Sequence, residues 1–338
     1  MLSRWRGIFG CAFDLRPVIL ATMRIVFMGS PDFALPALQR LIDSEHEVVA
    51  VFTQPDRPTG RGRKLAPPPV KTLALQHNLP VYQPTSISHP DAVAQIRALA
   101  PDLGVIAAYG QILRQRVLDV PRLGILNVHA SLLPRWRGAA PIPAAILAGD
   151  AETGATIMRV IRALDAGPML ASARVTIGGA DTTATLTPRI AEAGAALLLD
   201  LLPAFVRGEM TPTPQDESLA TYAPQIEKED GRIDWQTETA ERIARKVRAY
   251  DPWPMAFTTF EGQPLRILEC IAITGTDTRV PGTVVARQPA DVERIGFRIN
   301  TVDGCVGVIS VQPAGRGVIP ADAYVRGRRD LLGTVLGT

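Results

Sequence analysis

The chain has 338 residues, 46% of them hydrophobic and 20% charged, with 36 Lys and Arg against 33 Asp and Glu. That length supports roughly two domains of about 150 residues, each with a core large enough to need no staples, and no apolar run approaches the roughly 18 residues of a membrane-spanning helix. A net charge of +3 excludes a protein that grips nucleic acid by bulk positive charge, because such domains run far more basic. Cys11, Cys270 and Cys305 are too scattered for a disulfide framework or a CxxC site, and with only four histidines no metal centre is expected. A reducing compartment follows, the cytoplasm.

Residues 1–22 carry three arginines and one acid, and Met23 then opens RIVFMGS. Asp14 and Arg16 interrupt any apolar stretch of a secretory signal. The segment reads as a disordered extension or a misassigned start, with a targeting segment to the mitochondrial matrix as the alternative.

From Arg24 the runs RIVFMG, EVVAVFT, DLGVIAAYG and GILNVH are near-continuous and rich in Val and Ile, as strands buried on both faces should be. Between them Asp32–Ile42, Val70–His77 and Asp91–Ala100 show helical spacing of apolar positions. This alternation predicts an α/β domain over 23–206 with a doubly wound, mostly parallel, Rossmann-like sheet. Gly29 closes the first strand, Ser30 is the expected helix N-cap and Pro31 the first helical residue. GSPDFA lacks the glycine spacing of a dinucleotide site, so no nicotinamide or flavin is expected. PMLASARVTI reads as a further strand and Thr182–Phe205 as the helix that closes the domain.

Residues 207–230 hold three prolines, many polar residues and no period, the marks of a linker. Beyond it, over 231–335, ERIARKVRA looks helical, and LRILECIAI, GTVVARQ, IGFRINTV and GCVGVISVQPA look like short strands between Gly, Pro and Asp turns. A small antiparallel barrel is the expectation.

The chemistry concentrates in GILNVHASLLPRWRGAAPI, residues 124–142. Asn127 and His129 lie two apart at the end of a buried strand and so share a side, where sheets of this kind bind ligands. A neutral amide donor beside an imidazole can hold a developing oxyanion. Asp165, in LDAG, is either a turn residue or a carboxylate that assists His129 and accepts a proton directly or through water. No Gly-x-Ser-x-Gly elbow and no cysteine accompany them. Direct transfer between two bound substrates is implied.

Asn-x-His followed by SLLPRWRGAAPI, then GDAETGATIM and LDAG, resembles the active-site region of the folate-dependent formyltransferases. With QPDRPTGRGRKLAPPPVK upstream and YAPQIEKEDGRIDW downstream, the chain resembles the branch of that family that formylates methionyl-tRNA, from about Arg24 to Gly333. The resemblance implies 10-formyltetrahydrofolate as co-substrate, initiator methionyl-tRNA as partner, Asn127, His129 and Asp165 as catalytic residues, and folate contacts from Ser131, Leu132, Leu133 and Pro134. It also implies attack of the amine on the formyl carbon, with Asn127 and His129 holding the oxyanion and Asp165 assisting removal of the amine proton. Many members read LDTG after acidic or glycine residues, whereas Ile161, Arg162 and Ala163 precede LDAG here, which bears on the lining of the site beside Asp165. Nothing requires a second copy of the chain, and a monomer is expected.

In Gln54–Lys71 the cations Arg57, Arg61, Arg63, Lys64 and Lys71 face one acid, Asp56. Prolines and glycines exclude a helix or a central strand there. On composition it is a solvated loop; the resemblance makes it a basic arm for tRNA, with Arg61 the residue nearest the acceptor end. Residues 227–338 hold 15 basic and 15 acidic side chains, yet Arg242, Arg245 and Lys246 share a helix face, with Arg248 beyond, as an RNA contact or an ordinary solvated face. Trp253 reads as a packing anchor between domains. Two rival functions are formyl transfer to a small amine, which leaves the basic segment and second domain unexplained, and non-catalytic RNA binding, which leaves Asn127, His129 and Asp165 unexplained.

Overall fold

The computed structural model describes residues 22–59, 64–275 and 280–337. Seven strands make the central sheet: β1 Arg24–Gly29, β2 Glu47–Phe52, β3 Val81–Tyr82, β4 Leu103–Ala107, β5 Ile125–His129, β6 Glu152–Arg159 and β7 Met169–Thr176. Their spatial order is β7-β6-β5-β4-β1-β2-β3. Strands β1 to β5 pair in parallel, and β6 and β7 are added antiparallel beside β5. The chain leaves β1 in one direction for β2 and returns on the other side for β4, so the crevice at the strand C-termini is a topological switch point.

The unbroken apolar runs are explained by burial on both faces. In β1, Ile25 and Phe27 enter one core cluster while Val26 and Met28 enter another on the opposite side, the period of two that a strand imposes. Helices α1 Leu35–Ile42, α2 Pro69–Gln76, α3 Pro90–Ala98, α4 Gln115–Leu118, α5 Pro141–Ala148 and α6 Thr183–Val206 cover the sheet and its edges. Helix α6 starts with a reciprocal cap between Thr182 and Thr185 and buries Leu186, Ile190, Leu198 and Leu202. Truncating one of these leucines to alanine would cost about 2–5 kcal/mol.

The first turn differs from expectation. Pro31 caps a 3-10 turn, Asp32–Ala34, that precedes α1. Ser30 does not cap it. Its hydroxyl accepts from the Gln54 backbone N at 3.1 Å and donates to the Tyr109 carbonyl at 3.3 Å, tying together the ends of three neighbouring strands.

The second domain places α7, Ala240–Ala249, on an antiparallel sheet of β8 Ala256–Phe260, β9 Gln263–Thr274, β10 Val284–Ala286, β11 Phe297–Asn300 and β12 Gly304–Pro313. The order is β8-β9-β12-β11-β10. Ile243 and Val247 of α7 join Ile267, Phe297, Val306 and Val308 in one core. Strand β8, inside DPWPMAFTTF, is an addition to the expected set, and Trp253 before it is 55% exposed, so it anchors no domain interface.

The segment expected to be a plain linker is strapped to the first domain. Thr213 and Met169 exchange backbone hydrogen bonds at 2.8 Å, and Tyr222–Ala223 pairs in parallel with Arg137–Gly138. These partners are distant in sequence, and so local periodicity carries no sign of them.

Candidate active site

Asn127 and His129 project from the C-terminal end of β5, at the crevice. Asn127 is partly exposed, and its side-chain amide makes no hydrogen bond among the described residues. It is a free donor and acceptor at a strand end. His129 is 6% exposed, and its Nε2 lies 3.0 Å from the Trp136 carbonyl oxygen. A carbonyl can only accept, so Nε2 carries a proton. Nδ1 faces Asp165, with Oδ2 at 3.7 Å, too long for a direct hydrogen bond. His129 and Asp165, 36 residues apart in the chain, are thus neighbours in space, and Asn127 lies two residues before His129 on the same side of β5.

Asp165 sits in the loop after β6 with φ +46°, the left-handed region that Asp tolerates better than most residues. Its Oδ2 accepts the Gly138 backbone N–H at 2.9 Å. Two glycines make this loop possible. A Cβ on Gly138, itself at φ +114°, would stand 2.5 Å from the Ala223 oxygen, and one on Gly167 would stand 1.8 Å from the Arg159 oxygen.

Gln215, from the strap between domains, holds the loop from behind. Its Nε2 donates to the carbonyls of Asp165 at 2.8 Å and Gly167 at 2.7 Å. Its Oε1 accepts from Nε of Arg137 at 3.0 Å. Arg137 is 1% exposed, and its remaining nitrogens pair in parallel with the Glu217 carboxylate at 2.9 and 2.8 Å, the bidentate geometry that suits a guanidinium. Trp136, at φ +65°, is fixed by Thr221 Oγ1 on its backbone N at 2.9 Å and by Asp150 on its ring N–H at 2.8 Å. Burial pushes the Asp150 carboxyl up, and hydrogen bonds from Arg135 and Trp136 outweigh this, leaving it below the usual range. Arg137, Gln215, Glu217 and Thr221 were not singled out in the sequence. Arg137 looked like one more cation, and the others lie in a stretch without period.

In the SLLP segment the Ser131 hydroxyl is fully buried and donates to the Arg135 carbonyl at 2.6 Å, and Leu133 is 7% exposed. Thr156 Oγ1 donates to the Ser131 carbonyl at 2.7 Å and accepts from the Leu133 backbone N at 3.2 Å. These two expected folate contacts are thus structural by their side chains, and the accessible surface of the segment comes from Leu132 and Pro134.

The basic segment forms a two-stranded hairpin, Arg57–Thr59 against Lys64–Ala66. Lys71 does not face solvent as a free cation: its Nζ holds Asp56 at 2.8 Å and Gln83 at 2.8 Å, closing the hairpin's base. Arg57 and Lys64 are exposed. Arg61 and Arg63 lie outside the described residues.

Three arginines of α7, expected as an RNA contact or an ordinary solvated face, hydrogen-bond to backbone carbonyls of the first domain. Arg242 and Arg245 donate to the Leu147 and Ala148 carbonyls at 3.1 and 3.2 Å, the last turn of α5, where free carbonyls and the helix dipole favour cations. Arg248 donates to the Asp181 carbonyl at 3.1 Å. Lys246 is buried, with Nζ on the Arg232 carbonyl at 2.7 Å and on Glu238 at 2.6 Å.

The comparisons with known proteins agree on the family. The formyl transferase model matches residues 23–202 and the formyl transferase C-terminal domain model matches residues 225–329. A methionyl-tRNA formyltransferase of Methylococcus capsulatus is 49% identical over 94% of this chain and 100% of its own length. That of Hydrogenovibrio crunogenus is 46% identical over 93% of this chain and 99% of its own. Among solved structures, HypX from Aquifex aeolicus in complex with tetrahydrofolic acid superposes on 90% of this chain and 47% of its own, with a TM-score of 0.59 and 21% identity. The sugar 3N-formyl transferase WlaRD covers 88% of this chain and 99% of its own at a TM-score of 0.61 and 17% identity. At such identities the structural likeness speaks for the fold. Matched in both domains and close to half identical to relatives along nearly its whole length, this chain belongs to the formyl transferase family.

Proposed function

We propose that the chain transfers the formyl group of 10-formyltetrahydrofolate to the α-amino group of methionine on initiator tRNA. The observation that carries this is the 46–49% identity, through both domains, to proteins named methionyl-tRNA formyltransferase. In the reaction read from the site, the amine attacks the formyl carbon. The Asn127 amide N–H, with the His129 ring beside it on the same side of β5, faces the oxygen on which charge develops, a role for a fixed donor worth about 3–4 kcal/mol in related chemistry. Nε2 is engaged by the Trp136 carbonyl, and Nδ1 is the ring nitrogen on the side of the Asp165 carboxylate, 3.7 Å away. Asp165 then accepts the proton lost by the amine, through a water where the distance requires one, and as the oxyanion re-forms a carbonyl the bond from the formyl carbon to N10 breaks, N10 takes up that proton and tetrahydrofolate leaves.

Arg57 and Lys64, with Arg61 and Arg63, are the proposed tRNA contacts, acting on phosphates, and Leu132 and Pro134 the proposed folate contacts from their segment. Both domains come from one chain, so a monomer suffices. The product serves the initiation of translation, and the bacterial relatives support a reaction in the cytoplasm of a bacterial cell. The deciding experiment is formylation of methionyl-tRNA with 10-formyltetrahydrofolate, run beside free methionine and a glycinamide ribonucleotide. Transfer to charged tRNA alone is expected, and transfer only to a small amine overturns the proposal.

A further inference from the structure

Trp136 and Asp150 take no part in the reaction as read above, yet they stand behind His129. The chain leaves β5 at His129 and, seven residues on, turns the Trp136 carbonyl back onto Nε2 at 3.0 Å. Trp136 makes that turn at φ +65°, a backbone region that bulky residues rarely adopt, so it needs to be held from outside. Thr221 Oγ1 holds its backbone N–H at 2.9 Å, and Asp150 holds its side chain. Asp150 Oδ2 accepts the indole N–H at 2.8 Å and Nε of Arg135 at 2.9 Å, and Oδ1 accepts Nη2 of Arg135 at 2.7 Å. The Arg135 guanidinium also lies over the indole, 4.3 Å from the ring centroid. Asp150 is itself fixed. Helix α5 ends at Gly149 with φ +77°, and the Asp150 backbone N–H returns to the Ala145 carbonyl at 3.0 Å, a left-handed helix cap. From the second domain, Arg245 closes over Gly149 and leaves no room there for a Cβ. Burial pushes the Asp150 carboxyl up, and hydrogen bonds from Arg135 and Trp136, with the charges of Arg135 and Arg245, outweigh it.

We propose that Asp150 is a positioning residue for His129: through the Trp136 indole it aims the Trp136 carbonyl at Nε2, sets the Nε2–H tautomer and turns Nδ1 toward Asp165. The inference rests on the reading of His129 as a participant in formyl transfer. A neutral imidazole carries its proton on either nitrogen, and the acceptor that one of them meets decides which. A carbonyl held at Nε2 keeps the proton there and leaves Nδ1, 3.7 Å from Asp165 Oδ2, free to receive one. Release of the indole lets Trp136 relax from φ +65°, and the carbonyl turns away from the ring. The Ser131 hydroxyl pins the preceding carbonyl, that of Arg135, at 2.6 Å, so the change stays within Trp136 and reaches His129 first. Because Arg245 of α7 leans on the same corner, docking of the second domain supports the same geometry.

The test reads the His129 ring directly, by heteronuclear NMR of the full chain without substrates at about pH 8.5, where an ordinary imidazole is neutral. The His129 signal is assigned by its loss in His129→Ala. Trp136→Phe keeps the aromatic ring and the Arg135–Asp150 ion pair and removes the indole N–H, whereas Asp150→Ala removes the other end of the same bond. Relative to a histidine in a short peptide, measured alongside, the Nε2–H tautomer is expected to be enriched about tenfold in the wild type and less than about twofold in both variants. In steady-state formylation kcat is expected to fall about five- to tenfold in each variant, with the KM values for folate and tRNA moving less than about twofold. A wild-type ratio equal to that of the peptide overturns the proposal. So does a tautomer unmoved in Trp136→Phe, because the link then does not run through the indole, or unmoved in Asp150→Ala, because the carboxylate is then not what holds it. Trp136→Phe makes the smaller change and carries the decision if Asp150→Ala does not fold. A tautomer lost in both variants with kcat unmoved upholds the positioning of His129 and removes His129 from formyl transfer, so the two readings fail on different measurements.

Discussion

Gln215 stands fifty residues beyond Asp165 in the chain, yet its side-chain Nε2 donates to the Asp165 carbonyl oxygen at 2.8 Å. The strap between the domains is therefore part of the support of the catalytic loop. An aspartate held at φ +46° persists only where its surroundings over-determine it, and Gln215 together with Arg137 supplies that determination. Gln215→Leu leaves two carbonyls and the Nε of a buried guanidinium without their partner, a loss of about 1–3 kcal/mol. Because the displaced group is a positioning residue, kcat is expected to fall about tenfold and the pH profile of kcat to move, while the KM for tRNA changes less than twofold. Steady-state formylation across pH checks this, and a kcat within twofold of wild type with an unmoved profile would refute it.

The three converging side chains should separate cleanly by rate. Asn127→Ala, His129→Ala and Asp165→Asn are each expected to lower kcat by about 10²–10⁴-fold. Asp165→Asn is the sharpest of these, because an amide oxygen still accepts the Gly138 N–H and the loop keeps its shape. Single-turnover formylation beside a thermal melt distinguishes lost chemistry from lost fold.

The alternation of apolar runs with amphipathic segments made the central sheet legible, since strands buried on both faces leave a signal in their own residues. The placement of Asn127 and His129 on one side of β5 was legible for the same reason. What held them was not. The bond from His129 to the Trp136 carbonyl and the clamp of Gln215 on the Asp165 loop join segments 7 and 50 residues apart through backbone carbonyls, to which any residue type contributes equally. Helical spacing shows that the cations of α7 share a face but not what that face meets; Arg242 and Arg245 meet the C-terminal carbonyls of α5.

Arg57 and Lys64 on the basic hairpin are expected to act through phosphate charge. Replacing each with alanine should raise the KM for tRNA and reduce the slope of log affinity against log salt by about 0.7–0.9 for each phosphate no longer neutralised. Folate binding should be unmoved. Formylation at several salt concentrations reads the slope, and a variant with the wild-type slope removes that residue from the RNA interface.

Arg242 and Arg245 are expected to matter for docking of the domains and not for RNA. Each donates to a carbonyl at the end of α5, and such helix-end interactions contribute about 0.3–1 kcal/mol apiece. Arg242→Ala/Arg245→Ala should lower the temperature of unfolding and separate the transitions of the two domains in calorimetry, with an unchanged salt slope for tRNA. A changed slope with an unchanged melt would return these residues to the RNA surface.

Asp102 links acid sensitivity to one strand junction. Its Oδ2 accepts the Arg24 backbone N–H at 2.9 Å and its Oδ1 accepts from Arg122 at 3.1 Å, joining the starts of β1 and β4. The Arg24 N–H, with help from Arg122 and against a burial effect, holds its carboxyl below the ordinary value of 3.8. A carboxylate whose pKa is depressed by folding contributes stability that is full above its unfolded value and is lost as pH falls through its folded one. Asp102→Asn is therefore expected to be less stable than wild type by about 1 kcal/mol from pH 5 to 8, a constant difference across that window. Below about pH 4 the difference should shrink, because the wild-type group is then protonated as well. Urea unfolding of both proteins across pH measures it, and a difference that stays constant down to about pH 2.5 would show that the carboxylate's charge is not what the junction uses.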